Sequence, residues 1–401
     1  MNPDITSSQT GQNGSTSDGA SFPVFHAPET PRAQLAMDAL LQRETSGIPT
    51  WIVHVMEHAM IERLAGAAPG DYLRDPERVY LRMEENCGVC LLDQYLWDNP
   101  LTMTAHGYEE AERGATTGAC SVERDGILID SPEAVVEHLE QVVFPALERQ
   151  AAEFDEDARA REIVLREQRL QDRIGPEMLK APYGCVMFPG FAYGVYGYEH
   201  YFSAYALYPE VMEKHFRLQA DVAVRNNRAA ARAFTDGKLP PVCRLDHDMA
   251  DSRGMLVRIE TLDHLWLPHF VRSLEPLLKT DVRLLWHCDG NLMDLVPRLL
   301  EAGISGFQGF QYEDGMDYRR ICRMKAKDGR ELIIFAGVSV TRTLPMGTPA
   351  DVREEMRFLV ENGPRTGLFL GASSSIAPGV PWENLKTFVE GLHHYRLRGR
   401  G

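Results

Sequence analysis

Short apolar runs alternate with amphipathic stretches through the second half of the chain. The runs have the length of ordinary strands, and the stretches between them have helical periodicity. Strands are predicted at 185–191, 241–249, 281–289, 304–311, 331–340 and 366–375. Helices are predicted at 209–236, 260–279, 291–302, 348–362 and 381–396. This alternation predicts βαβ units and a parallel sheet.

The first half of the chain has a mainly helical pattern. Thr30 as N-cap and Pro31 in the first turn predict a helix over 30–47, which Gly47 ends. A short apolar strand is predicted next, at 48–56. The other elements predicted here are charged helices at 75–97 and 131–172 and a hairpin at 122–130.

The whole pattern predicts an α/β protein. About eight strand candidates favour a (β/α)8 TIM barrel with an N-terminal helical extension. A Rossmann-like open sheet is the second interpretation, although no G-x-G-x-x-G motif follows a strand. We expect three regions: a disordered, polar tail at 1–28, a helical part with the first barrel strand at 29–180, and the main part of the barrel at 181–401.

The composition and charge of the chain indicate which kinds of binding partner to expect. The chain has 401 residues and a formal net charge of −16, which argues against nucleic acid and anionic membranes as partners. No apolar run is long enough to cross a bilayer, and the N-terminus lacks the features of a secretory signal. Seven cysteines, an odd number, fit a reducing compartment, so we expect a cytoplasmic location. A small-molecule substrate is the expected partner, and a homodimer stays open.

Polar side chains cluster where four of the predicted strands end. The four segments are 245–254, 286–291, 307–315 and 370–375. In a (β/α)8 barrel the active site lies at the carboxyl ends of the strands. The clusters therefore predict a site at this rim, although loops are polar in most proteins.

Strand alternation separates the reactive residues of these segments. It places His287 and Asp289 on one side and Cys288 on the other, and it groups Asp246 with Asp248. A histidine beside carboxylates can bind a divalent metal or take part in proton transfer. His287 and Asp289 are therefore candidate metal ligands, and all four polar residues are candidate catalytic residues. A purely structural, hydrogen-bonded His287 is equally consistent with the sequence.

An aromatic and glycine-rich segment at 185–208 is a candidate wall for a flat or apolar substrate. Ordinary core packing is the simpler explanation for most of its rings. The candidate substrate-binding residues, here and at the strand ends, are Tyr196, Glu199, Gln308, Tyr312 and Ser374.

Cys87 and Cys90 form a C-x-x-C motif within the predicted helix 75–97. A zinc or redox site is one interpretation, but no second Cys/His pair has zinc-site spacing. Two cysteines packed on a plain helix are the favoured interpretation.

Three segments carry a family resemblance: "LLWHCDGNLMDLVPRLLEAGISGFQGFQ", "IIFAGVSVTRTLPMGTPADVREEMRFLVENG" and "GLFLGASSSIAPGVPWENLKTFVEG". They resemble the uroporphyrinogen decarboxylase-like superfamily, which includes the decarboxylase of haem biosynthesis and corrinoid-dependent methyltransferases. The likeness covers about 185–396. It implies a (β/α)8 barrel with its site in a deep cleft at the carboxyl ends of the strands.

The resemblance favours the methyltransferase branch. Zinc methyltransferases of the family bind the metal through a His-x-Cys and a second Cys. His287 occupies the histidine position, whereas Asp289 and Ser374 occupy the two cysteine positions, which makes the site harder than a thiolate site. The true decarboxylase has a His where Ser374 stands and an arginine-rich segment near its first strand, and 48–60 contains no arginine.

The resemblance implies an enzyme that demethylates a small methoxylated or methylated substrate and passes the methyl group to a corrinoid carried by a partner protein. A divalent metal, with zinc among the candidates, is the implied cofactor. Asp246, Asp248, Tyr312 or Glu313 are candidate auxiliary ligands or acids. Two alternatives stay open: a carboxy-lyase on the same barrel, and a non-catalytic ligand-binding protein with a degenerate metal site.

Overall fold

The computed structural model describes residues 21–52, 54–95, 108–109, 112–113, 122–310 and 312–401. Its helices are α1 (Pro31–Leu40), α2 (His58–Ala65), α3 (Asp71–Arg74), α4 (Pro76–Cys87), α5 (Pro132–His138), α6 (Phe144–Ala152), α7 (Glu156–Ile174), α8 (Tyr193–Tyr196), α9 (Tyr198–Leu207), α10 (Pro209–Thr235), α11 (Ile259–Leu265), α12 (Leu267–Leu274), α13 (Val296–Ala302), α14 (Tyr318–Arg323), α15 (Thr343–Met346), α16 (Pro349–Asn362) and α17 (Trp382–Arg398). Its strands are β1 (Leu91–Leu92), β2 (Tyr108–Glu109), β3 (Glu112–Arg113), β4 (Val122–Arg124), β5 (Ile127–Ile129), β6 (Leu179–Lys180), β7 (Val242–Asp246), β8 (Ala250–Asp251), β9 (Gly254–Met255), β10 (Arg283–His287), β11 (Gly306–Gln308), β12 (Ile333–Val338) and β13 (Leu368–Ala372). None of the helices among these residues is both long and apolar enough to span a membrane.

Strands β7, β10, β11, β12 and β13 form one parallel sheet, with β7 and β13 at its edges. Asp246 of β7 pairs with His287 of β10, and His287 pairs with Gln308 of β11. Because the five strands run in the same direction, their carboxyl ends lie along one side of the sheet. The predicted α/β fold with a parallel sheet is confirmed.

Both edge strands also pair with backbone from the first half of the chain. Thr50 forms a parallel bridge with Leu370 of β13, and Tyr183 forms one with Arg244 of β7. The Cys90 amide donates to the Thr50 carbonyl at 2.9 Å, and β1 pairs in parallel with β6. The first half therefore contributes extended backbone as well as helices.

Two of the predicted strands do not form as predicted. The described part of 48–56 forms only isolated bridges, and 185–191 contains no strand, because the pairing falls at Tyr183 instead. Pro49 and Pro189 lie in these segments, and proline cannot donate to a sheet ladder. By contrast, the predicted hairpin at 122–130 is present as β4 and β5.

The helix predicted over 75–97 ends at Cys87. Gly88 adopts a left-handed φ of 74° and caps α4, so Cys90 lies in the extended backbone that leads into β1. Both cysteines are buried, and burial raises the pKa of each thiol. They are packed cysteines as expected, but they belong to two different elements.

Two other long predicted helices are divided. The stretch 131–172 contains α5, a π-helical turn (Leu139–Val143), α6 and α7, and 260–279 contains α11 and α12. Pro145 and Pro268 lie in the first turns of α6 and α12. Pro268 begins a new helix after the break at Trp266, because proline fits a first turn but interrupts a helix interior. The π-helical turn before Pro145 instead joins α5 and α6 without a break, and the chain leaves the helix only after Ala152.

Residues 21–28, which composition assigned to the tail, lie against the body of the protein. Phe25 is buried, and its amide donates to the Gly237 carbonyl at 2.7 Å. Burial of this ring offsets the entropy of ordering a polar segment. Residues 1–20 of the predicted tail lie outside the described residues.

The two faces of the sheet bury different apolar clusters. The larger cluster joins one face to the surrounding helices. The smaller cluster contains Ala33, Ala36, Ala39, Leu40, Trp51, Cys90, Leu91, Leu179, Ala181, Val242, Leu285, Ile333, Phe335 and Phe369. By strand alternation, Arg244 and His287 share the face of Val242 and Leu285. The polar strand ends therefore continue the face that carries the smaller cluster.

Glu84 is a buried carboxyl group away from the strand ends. It lies on α4, one turn after Tyr80, and both side chains are fully buried. Burial raises the pKa of Glu84 to about 8, and its interaction with Tyr80 lowers that pKa only in part. The folded protein therefore holds a proton that the unfolded chain, with an ordinary carboxyl pKa, releases.

We expect Glu84→Gln to reduce the pH dependence of stability. The contribution of Glu84 is fully present below pH 4.5 and is lost as the pH rises towards 8, because only the unfolded state ionises in that window. One such group changes the free energy of unfolding by at most about 1.4 kcal/mol per pH unit. Urea unfolding at pH 5, 6.5 and 8 measures the slope. Glu85→Gln, at the exposed neighbouring position, is the control, and a wild-type slope in Glu84→Gln would contradict the prediction.

Candidate functional site

The polar ends of β7, β10 and β11 lie side by side. Asp246, His287 and Gln308 end these three strands and pair directly in the sheet register. Asp248 and Asp289 each follow two residues after a strand end. One ligand-type atom from each of Asp248, His287 and Asp289 lies within 4.8 Å of the other two. We call these three residues the Asp-His-Asp triad.

His287 is buried between carboxylates. Its Nε2 atom lies 3.9 Å from Asp246 Oδ1 and 3.9 Å from Asp289 Oδ1. Its Nδ1 atom lies 3.3 Å from the Gln308 carbonyl oxygen, which can only accept a hydrogen bond. Nδ1 therefore carries a proton, and Nε2, which faces the carboxylates, is the nitrogen that gains or loses the second proton. Burial alone lowers the pKa of His287, but Asp246 and Asp289 outweigh burial and raise it.

Asp246 is held through one of its two oxygens. Its Oδ2 accepts from Arg244 Nη1 at 3.0 Å and from the Tyr183 hydroxyl at 3.1 Å. Oδ1 is the oxygen that faces His287. Burial raises the pKa of Asp246, but the positive charges of His287 and Arg244 dominate and hold it below its usual range.

Asp248 has the opposite electrostatic surroundings. Its Oδ1 accepts from the Asp289 amide at 2.8 Å, and its backbone carbonyl accepts from the Tyr193 hydroxyl at 3.0 Å. Burial, together with the negative charge of Asp289, raises the pKa of Asp248 to about 6. Two carboxylates this close repel each other, so a bound cation would stabilise both in their charged forms.

His247 and Cys288 make contacts away from the triad. His247 Nε2 accepts from the Phe191 amide at 2.8 Å, and burial lowers the pKa of this histidine to about 4. Cys288 Sγ accepts from the Met249 amide at 3.2 Å, and burial raises the pKa of the thiol. These contacts give both residues packing roles, in line with the strand alternation.

Gln308 lies beside His287 on the neighbouring strand β11 and is fully buried. Its side-chain oxygen accepts from Arg244 at 3.2 Å, and its amide nitrogen donates to the Ser373 carbonyl at 3.0 Å. Both ends of the amide are therefore engaged within the protein. Ser374, the next residue after that carbonyl, is half-buried just beyond the end of β13.

The other candidate substrate-binding residues are Tyr312, Tyr196 and Glu199. The ring of Tyr312 packs against Phe358 of α16, with 6.2 Å between ring centroids. Tyr196 is buried, and its hydroxyl lies 2.8 Å from His138 Nδ1. Glu199 is exposed in the first turn of α9. A role in substrate binding stays a prediction for each of them. The side chain of Glu313 lies outside the described part of the structure.

Sequence analysis missed the residues that surround Asp246. Arg244 is buried on β7, and Asp93, which follows β1, accepts from its Nε at 2.6 Å. Asp93 fell within the helix predicted over 75–97. A charged residue inside the apolar run "PVCRLDHDM" was the available indication for Arg244.

Gly309 allows the Gln308 carbonyl to reach His287. It has a left-handed φ of 71°, and a Cβ atom there would lie 2.8 Å from both His287 Nδ1 and the Ser373 carbonyl oxygen. A side chain at this position would therefore displace the imidazole or the strand backbone.

We expect Gly309→Ala to destabilise the protein by about 1–3 kcal/mol beyond the cost of a left-handed alanine, because it clashes with backbone that cannot yield. Gly329→Ala is the matched control: Gly329 has a φ of 81° and no atom within 4 Å of the added Cβ. Chemical unfolding of the two variants measures the difference. Equal losses of stability would show that the space around His287 is not restricted.

Comparisons with known proteins extend this description. A methyltransferase from Methanosarcina mazei is similar at 16% sequence identity and a TM-score of 0.54, over 92% of this chain and 99% of that one. A B12-independent methionine synthase from Shewanella sp. W3-18-1 overlaps at 12% identity and a TM-score of 0.26, over 47% of this chain and 55% of that one, which is too little to carry an argument. No family model and no curated protein sequence matches the chain. At this identity the first similarity shows the fold alone: the chain shares the fold of that methyltransferase over nearly its whole length.

Proposed function

We propose that the protein is a methyl-transfer enzyme whose reaction takes place at a divalent cation held by Asp248, His287 and Asp289. The Asp-His-Asp triad is the observation that carries the proposal. Its methyl donor is a small methoxylated or methylated compound, and its acceptor is a corrinoid on a partner protein. These two identities rest on the family resemblance of the strand-end segments. The fold shared with a methyltransferase agrees with the proposal.

The donor set of the triad fits a hard or borderline cation. It offers one imidazole nitrogen and two carboxylates, a combination that suits Mn²⁺, Fe²⁺, Co²⁺ or Zn²⁺. The thiolate-rich zinc site of the zinc methyltransferases does not fit, because Asp289 and Ser374 provide oxygen where that site has sulfur. Cys288 does not replace the missing thiolate, since its sulfur contacts the Met249 amide instead.

The surrounding residues would prepare the site for removal of a methyl group. The leaving heteroatom needs Lewis or general acid assistance, which a cation held by the triad would supply. The Gln308 carbonyl holds His287 with Nε2 towards the carboxylates. Asp246, whose Oδ2 is occupied by Arg244 and Tyr183, presents Oδ1 beside His287 as an acceptor for a proton.

We also propose that the parallel strands close into a (β/α)8 barrel. Pairing runs from β13 to Thr50, from Thr50 to Cys90, from β1 to β6, and from Tyr183 to β7. With the five-stranded sheet, this order gives eight extended segments in sequence, as in the predicted barrel. The smaller apolar cluster, with members from both halves of the chain, would then be the barrel interior.

We expect His287→Ala to lower the affinity for Co²⁺ by at least about 100-fold, more than loss of a supporting residue costs, and to abolish methyl transfer. Isothermal titration with Co²⁺ and Mn²⁺ measures the affinity, and circular dichroism checks the fold. His264→Ala, at an exposed histidine on α11, is the control. Wild-type affinity in His287→Ala would rule out the triad as the metal site.

We expect Asp289→Cys to shift metal preference towards thiophilic ions. The substitution restores the His-x-Cys pattern of the zinc methyltransferases, and a thiolate binds Zn²⁺ and Cd²⁺ better than a carboxylate does. The ratio of Cd²⁺ to Mn²⁺ affinity should rise at least about tenfold over the wild-type ratio. Cys288, which is already present in the wild type, serves as the internal control for a nearby thiol. An unchanged ratio would place Asp289 outside the coordination sphere.

A further inference from the structure

Arg244, the middle residue of β7, is a buried cation with three hydrogen-bond partners. Its Nε donates to Asp93 Oδ2 at 2.6 Å. Its Nη1 donates to Asp246 Oδ2 at 3.0 Å and to Gln308 Oε1 at 3.2 Å. The plane of its guanidinium also lies against Tyr183, 4.9 Å from the ring centroid. The group is therefore fixed from several directions.

Two of these partners flank the two ring nitrogens of His287. Asp246 Oδ1 lies 3.9 Å from Nε2, and the Gln308 carbonyl lies 3.3 Å from Nδ1. Arg244 thus binds Asp246 and Gln308, the two residues next to the imidazole nitrogens, but forms no hydrogen bond with the imidazole itself. A shift of the guanidinium would reach His287 through the Asp246 carboxylate, because Arg244 bonds the side-chain oxygen of Gln308 and not the backbone carbonyl that contacts Nδ1.

The geometry favours an arginine. Nε and Nη1 of one planar group reach Asp93 just after β1, Asp246 on β7 and Gln308 on β11, which an ammonium group on a flexible stem does not reproduce. Asp93 anchors the far side of the fork, and the Gln308 amide is anchored in turn by the Ser373 carbonyl.

Stability alone is a weak reason for this arrangement. Removing charged groups from water offsets much of what their pairing contributes, and well-packed apolar side chains often stabilise a core as well. The arrangement does give His287 a fixed orientation, which a metal ligand needs and a plain core histidine does not.

We propose that Arg244, anchored by Asp93, is the positioning residue of the Asp-His-Asp triad and that it orients His287 through Asp246. This inference rests on the proposed metal centre. Arg244 would contact neither the substrate nor the cation. The affinity for the metal would depend on the planar shape of the guanidinium as well as on its charge.

The test is a Co²⁺ titration of the full-length protein and its Arg244→Lys variant at one pH. The variant keeps the charge and loses the fork. We expect its dissociation constant for Co²⁺ to rise about 10- to 100-fold, the range typical of lost outer contacts to metal ligands. We also expect the visible spectrum of the Co²⁺-saturated variant to change, because the imidazole is no longer fixed in one orientation. Loss of stability alone would leave that spectrum unchanged.

Arg283→Lys is the matched control. Arg283 is equally buried, at the start of β10 and so about 13 Å from His287 along the strand, and it donates to Asp328 at 2.8 Å and to the Glu331 carbonyl at 2.9 Å. We expect Co²⁺ affinity and spectrum of the wild type in this variant. Equal weakening in both arginine variants, or none in Arg244→Lys, would overturn the inference.

A milder variant keeps the inference testable should Arg244→Lys fail to fold. Tyr183→Phe removes one hydrogen bond from Asp246 Oδ2 and leaves Arg244 in place, so we expect a smaller rise of the dissociation constant, of about 3- to 10-fold. An unchanged constant and spectrum in that variant would count against positioning through Asp246. A wild type that binds no Co²⁺ would instead overturn the proposed metal centre and this inference with it.

Discussion

The parallel register of β7, β10 and β11 is the constraint on which the candidate site depends. It sets Asp246, His287 and Gln308 side by side at one end of the sheet. A slip of β10 by one residue would turn His287 towards the helices and bring Cys288 to the site, because side chains alternate between faces. The apolar positions of β10, which include Leu285, hold that register by burial in the smaller cluster.

Charge is unevenly distributed among the side chains at the ends of these strands. The carboxylates of Asp93, Asp246, Asp248 and Asp289 lie close to one buried arginine and one histidine. Arg244 neutralises the inner pair, and its charge helps to keep the pKa of Asp246 low. Burial and Asp289 raise the pKa of Asp248 to about 6, and the charge of His287 offsets this rise only in part. The outer part of the site therefore carries an excess of negative charge that suits a divalent cation.

The fold is established by a structural similarity that extends over nearly the whole chain. The fold does not determine the function, since one fold can support many reactions. The proposed function therefore rests on the triad, the fixed orientation of His287 and the contacts of Arg244.

The sequence by itself determined the alternation of strands and helices, the four polar strand ends and the separation of His287 and Asp289 from Cys288. Each of these follows from local periodicity, which neighbouring residues impose on one another. The tertiary structure decided that Asp248 joins the triad, that both ends of the Gln308 side-chain amide are engaged, and that helix α4 ends at Cys87, which leaves Asp93 after β1. It also brought Asp93 to Arg244, 151 residues away in sequence. No local pattern encodes that ion pair, because it exists only once separate strands are placed side by side and the charges between them must find partners away from water.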